Sequence, residues 1–177
     1  SKLRGVVNVW KGEWDSDYKY NTPVVEKPDR INQLFYNLAR GHALLCGRTQ
    51  IDISDLKIIV ELCMDSVPTS RANLFAKIID YGGVMETTEV EKELNCSKPT
   101  ALQEMEILTI LGICSSSHAR DGQVGGQEKK ISLSGEFKWL LSEECSAIRG
   151  VPVPSSKIEP LVEILINKEK VTLWEGK

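Results

Sequence analysis

The most constraining feature of this chain is a pair of short amphipathic helical patterns joined by a tight turn, across residues 87–112. Thr88 and Glu91 have the spacing of a capping box, so we expect the first helix to begin there. Residues 95–97 interrupt the pattern, and a second helix follows and ends at Gly112. The apolar positions expected to share one core are Leu94, Leu102, Met105, Leu108 and Leu111. Helices this short need tertiary partners, which predicts a compact helix-turn-helix module.

Two short strand patterns follow the second helix. The first is Ile113 with Cys114, and the second is residues 129–133, while the segment between them is polar and rich in Gly and Ser. This pattern predicts a β-hairpin beside the helix pair. Residues 134–142 predict a closing helix whose aromatic side chains fill the gap between the module and its neighbour.

Three further helical patterns with short turns precede this module and predict a small bundle over residues 27–83. Their start and stop signals are Asp29 and Gly47, then Asp52 or Ser54 and Pro68, then Thr69 or Ser70 and Gly82. The apolar stripe of the first helix consists of Ile31, Leu34, Phe35, Leu38, Ala39 and Leu45.

The two ends of the chain have a different character. Residues 1–26 predict a strand and an aromatic-rich arm that packs on the rest of the chain or on a neighbour. Residues 146–177 predict a stiff Val-Pro-Val-Pro linker, a C-terminal helix and a last strand, which could pair with residues 6–10. The chain therefore divides into segments 1–26, 27–83, 84–145 and 146–177.

Charge and hydropathy limit the classes of function. The net charge is −3, which argues against a protein that coats nucleic acid by bulk electrostatics, so any DNA contact must be local. No apolar stretch approaches the roughly 20 residues of a membrane span, and no signal peptide is visible. We expect a cytoplasmic protein without membrane contact.

Cysteine and histidine patterns give no sign of a metal or of catalysis. The five cysteines lie far apart with only two histidines, so we expect no metal site, only buried reduced thiols. His42 shows no Cys or Asp partner in sequence reach, which predicts a packed or surface imidazole rather than a base. We expect no cofactor, no catalytic residue and no enzyme activity from this chain.

Residues 87–113, with the run Ser-Lys-Pro-Thr-Ala-Leu at 97–102, closely resemble the winged helix-turn-helix domain of bacterial and archaeal regulators. The resemblance implies that the second helix reads the major groove and that the hairpin is the wing. The DNA-binding residues it implies are Ser97, Lys98, Thr100 and Gln103 on the helix, with Arg120, Lys129 and Lys130 on the wing. Physics agrees, since a helix N-terminus presents free N–H groups to phosphate.

Acidic residues oppose that role. Glu104 and Glu106 lie in the second helix and four more glutamates crowd the helix before it, where they would repel phosphates. Winged helices also serve as protein-docking or dimerisation modules, so protein contact without nucleic-acid binding stays open as the alternative.

The bundle resembles the lid of AAA+ ATPases of the MoxR, magnesium-chelatase and minichromosome-maintenance groups. The residues that carry this likeness are Pro-Asp-Arg at 28–30, Leu-Ala-Arg-Gly-His-Ala-Leu-Leu-Cys-Gly-Arg at 38–48, and residues 51–56. The resemblance implies that Arg30 senses the nucleotide's terminal phosphate; we expect its guanidinium to be exposed and unpaired. No Gly-x-x-x-x-Gly-Lys-Ser/Thr loop occurs, so this chain alone cannot hydrolyse ATP. Either a larger ATPase contains it, or Arg30 and Arg48 are surface or capping residues of an ordinary bundle.

The sequence therefore predicts a mainly α protein with a small β wing: a lid-like three-helix bundle, a winged helix-turn-helix and a C-terminal helix. The expected function is DNA binding, as the C-terminal part of a larger ATPase, a replication or mobile-element protein, or a transcriptional regulator. Besides DNA, we expect this chain to contact an upstream ATPase domain or a protein partner.

Overall fold

The computed structural model describes residues 1–12, 17–118 and 129–149, and within them the chain is mainly helical with two small antiparallel sheets. The helices are α1 Pro28–Leu45, α2 Ile53–Asp65, α3 Thr69–Asp80, α4 Thr87–Leu94, α5 Lys98–Ile110 and α6 Glu143–Ile148. The strands are β1 Val9–Trp10, β2 Lys19–Tyr20, β3 Val84–Glu86, β4 Cys114–His118 and β5 Lys129–Leu133. Short 3₁₀ helices span Lys2–Arg4 and Gly135–Leu141.

Local signals set the ends of α1 to α3 as expected. Pro28 occupies the first turn of α1, where its missing N–H costs nothing, and Gly47 follows the helix with φ 72°. Asp52 caps α2 and exchanges hydrogen bonds with Asp55 in a capping box. After α3, Gly82 and Gly83 both adopt positive φ.

The inward face of α1 differs from the expected stripe. The helix buries Ile31, Ala39 and Ala43. Leu34, Leu38 and Leu45 are exposed, and Leu45 is 88% accessible. The reason is that α1 packs mainly on α2 through small residues, so one side of its apolar stripe has no partner among the described residues.

Residues 84–118 and 129–133 form the second helical unit, which we call the α4–α5 module. Its sheet has the order β3-β5-β4, with Met85 opposite Ile131 and Ser116 also opposite Ile131. Strand β3 was not expected, and it moves the start of α4. The predicted capping box at Thr88 and Glu91 is wrong, because Glu86 is the N-cap and Glu89 its partner.

Two other features of the module correct the sequence analysis. Leu102 is only partly buried, and the core face of α5 consists of Ala101, Met105, Ile107 and Leu108. The closing helix over 134–142 is a 3₁₀ helix, and its Trp139 is 61% exposed rather than filling a gap. The short helix α6 follows it and was not expected.

One hydrophobic core crosses residue 83. It joins α3 to the module and takes in the N-terminal segment, which contributes Val7 and Val9. Leu74, Ile78, Met85, Met105, Leu108, Ile113 and Ile131 are its largest fully buried apolar side chains. The expected strand near residues 6–10 is shorter than predicted; β1 pairs with β2, and Val6 bridges Val24.

Several expectations fall outside the described residues. They are Arg120 and the rest of the hairpin tip, the linker, the C-terminal helix and the last strand. Among the helices that the structure does describe, none has both the length and the apolar character needed to cross a membrane.

Candidate functional site

The first turn of α5 is an open helix N-terminus. Ser97 is the N-cap residue, its side chain caps no backbone N–H, and its Oγ lies 3.0 Å from Thr100 Oγ1. Ser97, Lys98 and Thr100 are all exposed. An uncapped helix start carries a partial positive charge and free N–H groups, and Lys98 adds a full charge beside them. This turn can therefore accept an anion.

The N-terminal segment lies along the same helix. The Gln103 side-chain amide donates to the Val9 carbonyl at 2.9 Å, so its amide nitrogen is already engaged. Tyr18 OH approaches the Pro99 carbonyl at 3.5 Å, and the Lys11 ammonium lies 5.6 Å from the centre of the Tyr18 ring. Burial, with Glu106 nearby, raises the pKa of Tyr18. The segment thus brings an aromatic ring and a lysine beside the start of α5.

The two wing lysines have acidic partners within the module. Lys129 forms an ion pair with Glu106, and both side chains are largely buried. Lys130 Nζ lies 3.5 Å from Glu86 Oε1, where both side chains are half-exposed. Each pair neutralises a lysine that the winged-helix resemblance assigns to phosphate contact. Lys129 is therefore largely unavailable to a phosphate, whereas Lys130 remains partly available.

Arg30 lies in the first turn of α1 with its side chain 88% exposed, as expected. The expectation that it is unpaired is wrong, since its Nε lies 3.8 Å from Glu26 Oε1. An ion pair this exposed is weak and leaves the guanidinium able to exchange partners.

A polar network that the sequence analysis missed joins the end of α1 to α2. Asp55 is fully buried and accepts hydrogen bonds from both terminal nitrogens of Arg48, at 2.7 and 2.8 Å, and from the backbone N–H of Asp52. His42 Nδ1 lies 2.5 Å from Asp55 Oδ1. The Arg48 guanidinium holds the pKa of Asp55 well below its usual range, and Asp55 in turn raises that of Arg48.

His42 therefore has an Asp partner that we did not expect from the sequence. It also has a Cys partner, because Cys46 Sγ lies 3.8 Å from His42 Nε2. The His42–Cys46 spacing of four residues is the signal that could have revealed this contact, since such residues meet on one helix face. Asp55 is 13 residues away, and only the folding of α2 onto α1 brings it to the ring.

The cysteines do not share one environment. Cys114 and Cys145 are buried, as expected, and burial raises the pKa of the Cys114 thiol to about 12. Cys46 is exposed, which contradicts the expectation of uniformly buried thiols. No group of three or more His, Cys, Asp or Glu side chains within residues 1–12, 17–118 and 129–149 is arranged to hold a metal ion.

The fold defines a mainly helical protein with small antiparallel sheets. Comparisons of the chain with protein-family models, with curated proteins and with solved structures find no match.

Proposed function

We propose that the α4–α5 module is a winged helix that binds DNA through the first turn of α5. The observation that carries the proposal is the open helix start, where Ser97, Lys98 and Thr100 are exposed and no side chain caps the backbone. Such a turn offers a phosphate both N–H donors and positive charge. The order of two helices, a tight turn at Asn95 and a following hairpin supports the same assignment.

The proposed contact area is small. Lys129 and Lys130 are held by glutamates and Gln103 by a backbone carbonyl, so Lys98 supplies the main charge among the described candidates. Each phosphate neutralised on duplex DNA contributes about −0.9 to the slope of log affinity against log salt concentration. We therefore expect weak binding with a slope of about −1 to −2.

Fluorescence anisotropy with a labelled random duplex tests this proposal at low and moderate salt. Lys98→Glu should lose binding, because it reverses the charge at the start of α5. Lys57→Glu is the matched control, since Lys57 is also exposed but lies in α2, and it should bind as wild type does. The proposal is wrong if wild-type protein binds no duplex even at low salt, or if all three proteins bind duplex with equal affinity.

A second candidate function, protein contact, is favoured by the uncovered side of α1. Leu34, Leu38 and Leu45 form an exposed apolar stripe of the kind that a partner helix covers. We propose that the chain self-associates through this stripe, because this kind of protein contact can be tested with the chain alone. Sedimentation should detect a dimer that Leu38→Glu abolishes and Asn37→Glu, at an adjacent exposed position, preserves. A wild-type monomer at all concentrations rejects it.

The lid-like role belongs to a larger ATPase, in which Arg30 would reach the nucleotide. Its exposure and its weak pair with Glu26 are compatible with that task. The decisive experiment compares a full-length ATPase that contains this chain with its Arg30→Ala variant. Unchanged nucleotide affinity and turnover would remove the lid assignment.

A further inference from the structure

Cys46, His42 and Asp55 are arranged as a nucleophile, a base and a group that orients the base. Cys46 Sγ lies 3.8 Å from His42 Nε2, and His42 Nδ1 lies 2.5 Å from Asp55 Oδ1. The carboxylate accepts from Nδ1, which leaves the lone pair of Nε2 directed to the thiol. We propose that Cys46 is an activated thiol and a site of modification by low-molecular-weight disulfides.

The surroundings of the three residues favour this chemistry. Cys46 is exposed while Asp55 is fully buried, so a reagent can reach the sulfur but not the group that orients the base. Residues 47–54, immediately after Cys46, line an open depression of about 760 Å³.

The reaction is a thiol–disulfide exchange that balances without a further oxidant. The Cys46 thiol proton passes to His42 Nε2, and the thiolate forms a bond to one sulfur of the reagent. The reagent's S–S bond breaks, and the departing thiolate takes up the proton. Cys46 is oxidised to a mixed disulfide while the other reagent sulfur is reduced to a thiol.

Timed alkylation of the folded full chain with iodoacetamide, followed by digestion and mass spectrometry, gives a rate for each cysteine separately. At pH 7, Cys46 should react about tenfold faster than free glutathione, and His42→Gln should remove that advantage. Oxidised glutathione should form its mixed disulfide on Cys46 with the same dependence on His42. Cys114 and Cys145 report folding, because they stay unreactive only while they remain buried.

Three results would overturn the inference. The first is a wild-type Cys46 rate within about twofold of free glutathione. The second is an unchanged rate in His42→Gln while Cys114 and Cys145 stay protected. The third concerns rescue by imidazole. In His42→Ala, imidazole added to the solution should restore part of the rate. Failure of this rescue in a folded variant would show that the ring is structural and not a base.

Discussion

At the scale of single residues, Asp55 is the polar centre of the contact between α1 and α2. Its carboxylate is fully buried, yet Arg48, His42 and the Asp52 N–H satisfy both of its oxygens. A buried charge is tolerated only when hydrogen bonds and a counter-charge replace the water it has lost. Removing one partner of this network would therefore leave a buried polar group without compensation.

Asp55→Asn should destabilise the protein in a pH-dependent way. The pKa of Asp55 is lowered in the folded state, so its contribution is complete above the unfolded value of about 4 and is lost as pH falls through the folded value. Urea unfolding at pH 7 and at about pH 3 should show a larger difference between wild type and variant at pH 7.

Arg30→Ala is the control, because Arg30 forms an exposed ion pair with Glu26 and its loss should barely move the midpoint. If the two variants unfold alike at pH 7, the Asp55 network does not stabilise the fold.

At the scale of elements, two glycines show that a turn can require glycine whereas a helix is weakened by it. Gly83 links α3 to β3 with φ 89°, and a Cβ there would lie 2.9 Å from Leu141 Cδ1. Gly41 lies inside α1, and a Cβ there would meet nothing within 4 Å. The first position requires glycine, whereas the second only loses helix stability by having it.

Replacing each glycine with alanine should change stability in opposite directions. Gly83→Ala should cost about 1–3 kcal/mol from backbone strain and crowding. Gly41→Ala should gain about 0.5–1 kcal/mol from helix propensity. Chemical denaturation of the two variants measures both values, and a stabilised Gly83→Ala would mean that the turn into β3 differs from the one described.

At the scale of the whole molecule, residues 1–12 tie α3 to α5. Arg71 of α3 is buried and donates from Nη1 to the carbonyls of Leu3 and Gly5, at 2.8 and 2.7 Å. Val9 then packs in the shared core and its carbonyl binds Gln103 of α5. The N-terminal segment is thus held at both ends, by α3 and by α5.

Arg71→Met should release the start of the chain. Two charge-assisted hydrogen bonds are lost, each of a kind worth about 1.5–3 kcal/mol, although Met keeps part of the packing. Limited proteolysis should then cut within residues 1–26 faster than in wild type, with a lower unfolding midpoint. Arg40→Met, at an exposed position of α1, should change neither; equal cleavage of all three proteins would show that Arg71 does not anchor the segment.

Local signals in the sequence predicted α1 to α5 and most of their ends, but not α6. Capping at Asp52, positive φ at Gly47 and Asn95, and proline at the start of α1 and α5 act within one turn of the chain. Such local signals are written in neighbouring residues, so they can be read without the fold. The same reasoning identified β5 and the start of α5.

Which helix faces are exposed and which charged groups are paired depends on contacts between segments that are far apart in the chain. The partners of Lys129, Gln103 and His42 lie 23, 94 and 13 residues away, and no local pattern predicts such contacts. Strand β3 exists because β5 pairs with it, which shifted the start of α4. Periodicity shows that a helix has an apolar stripe but not which side meets a neighbour, because burial depends on how the elements pack. That is why Leu38 is exposed although its spacing predicts a core position.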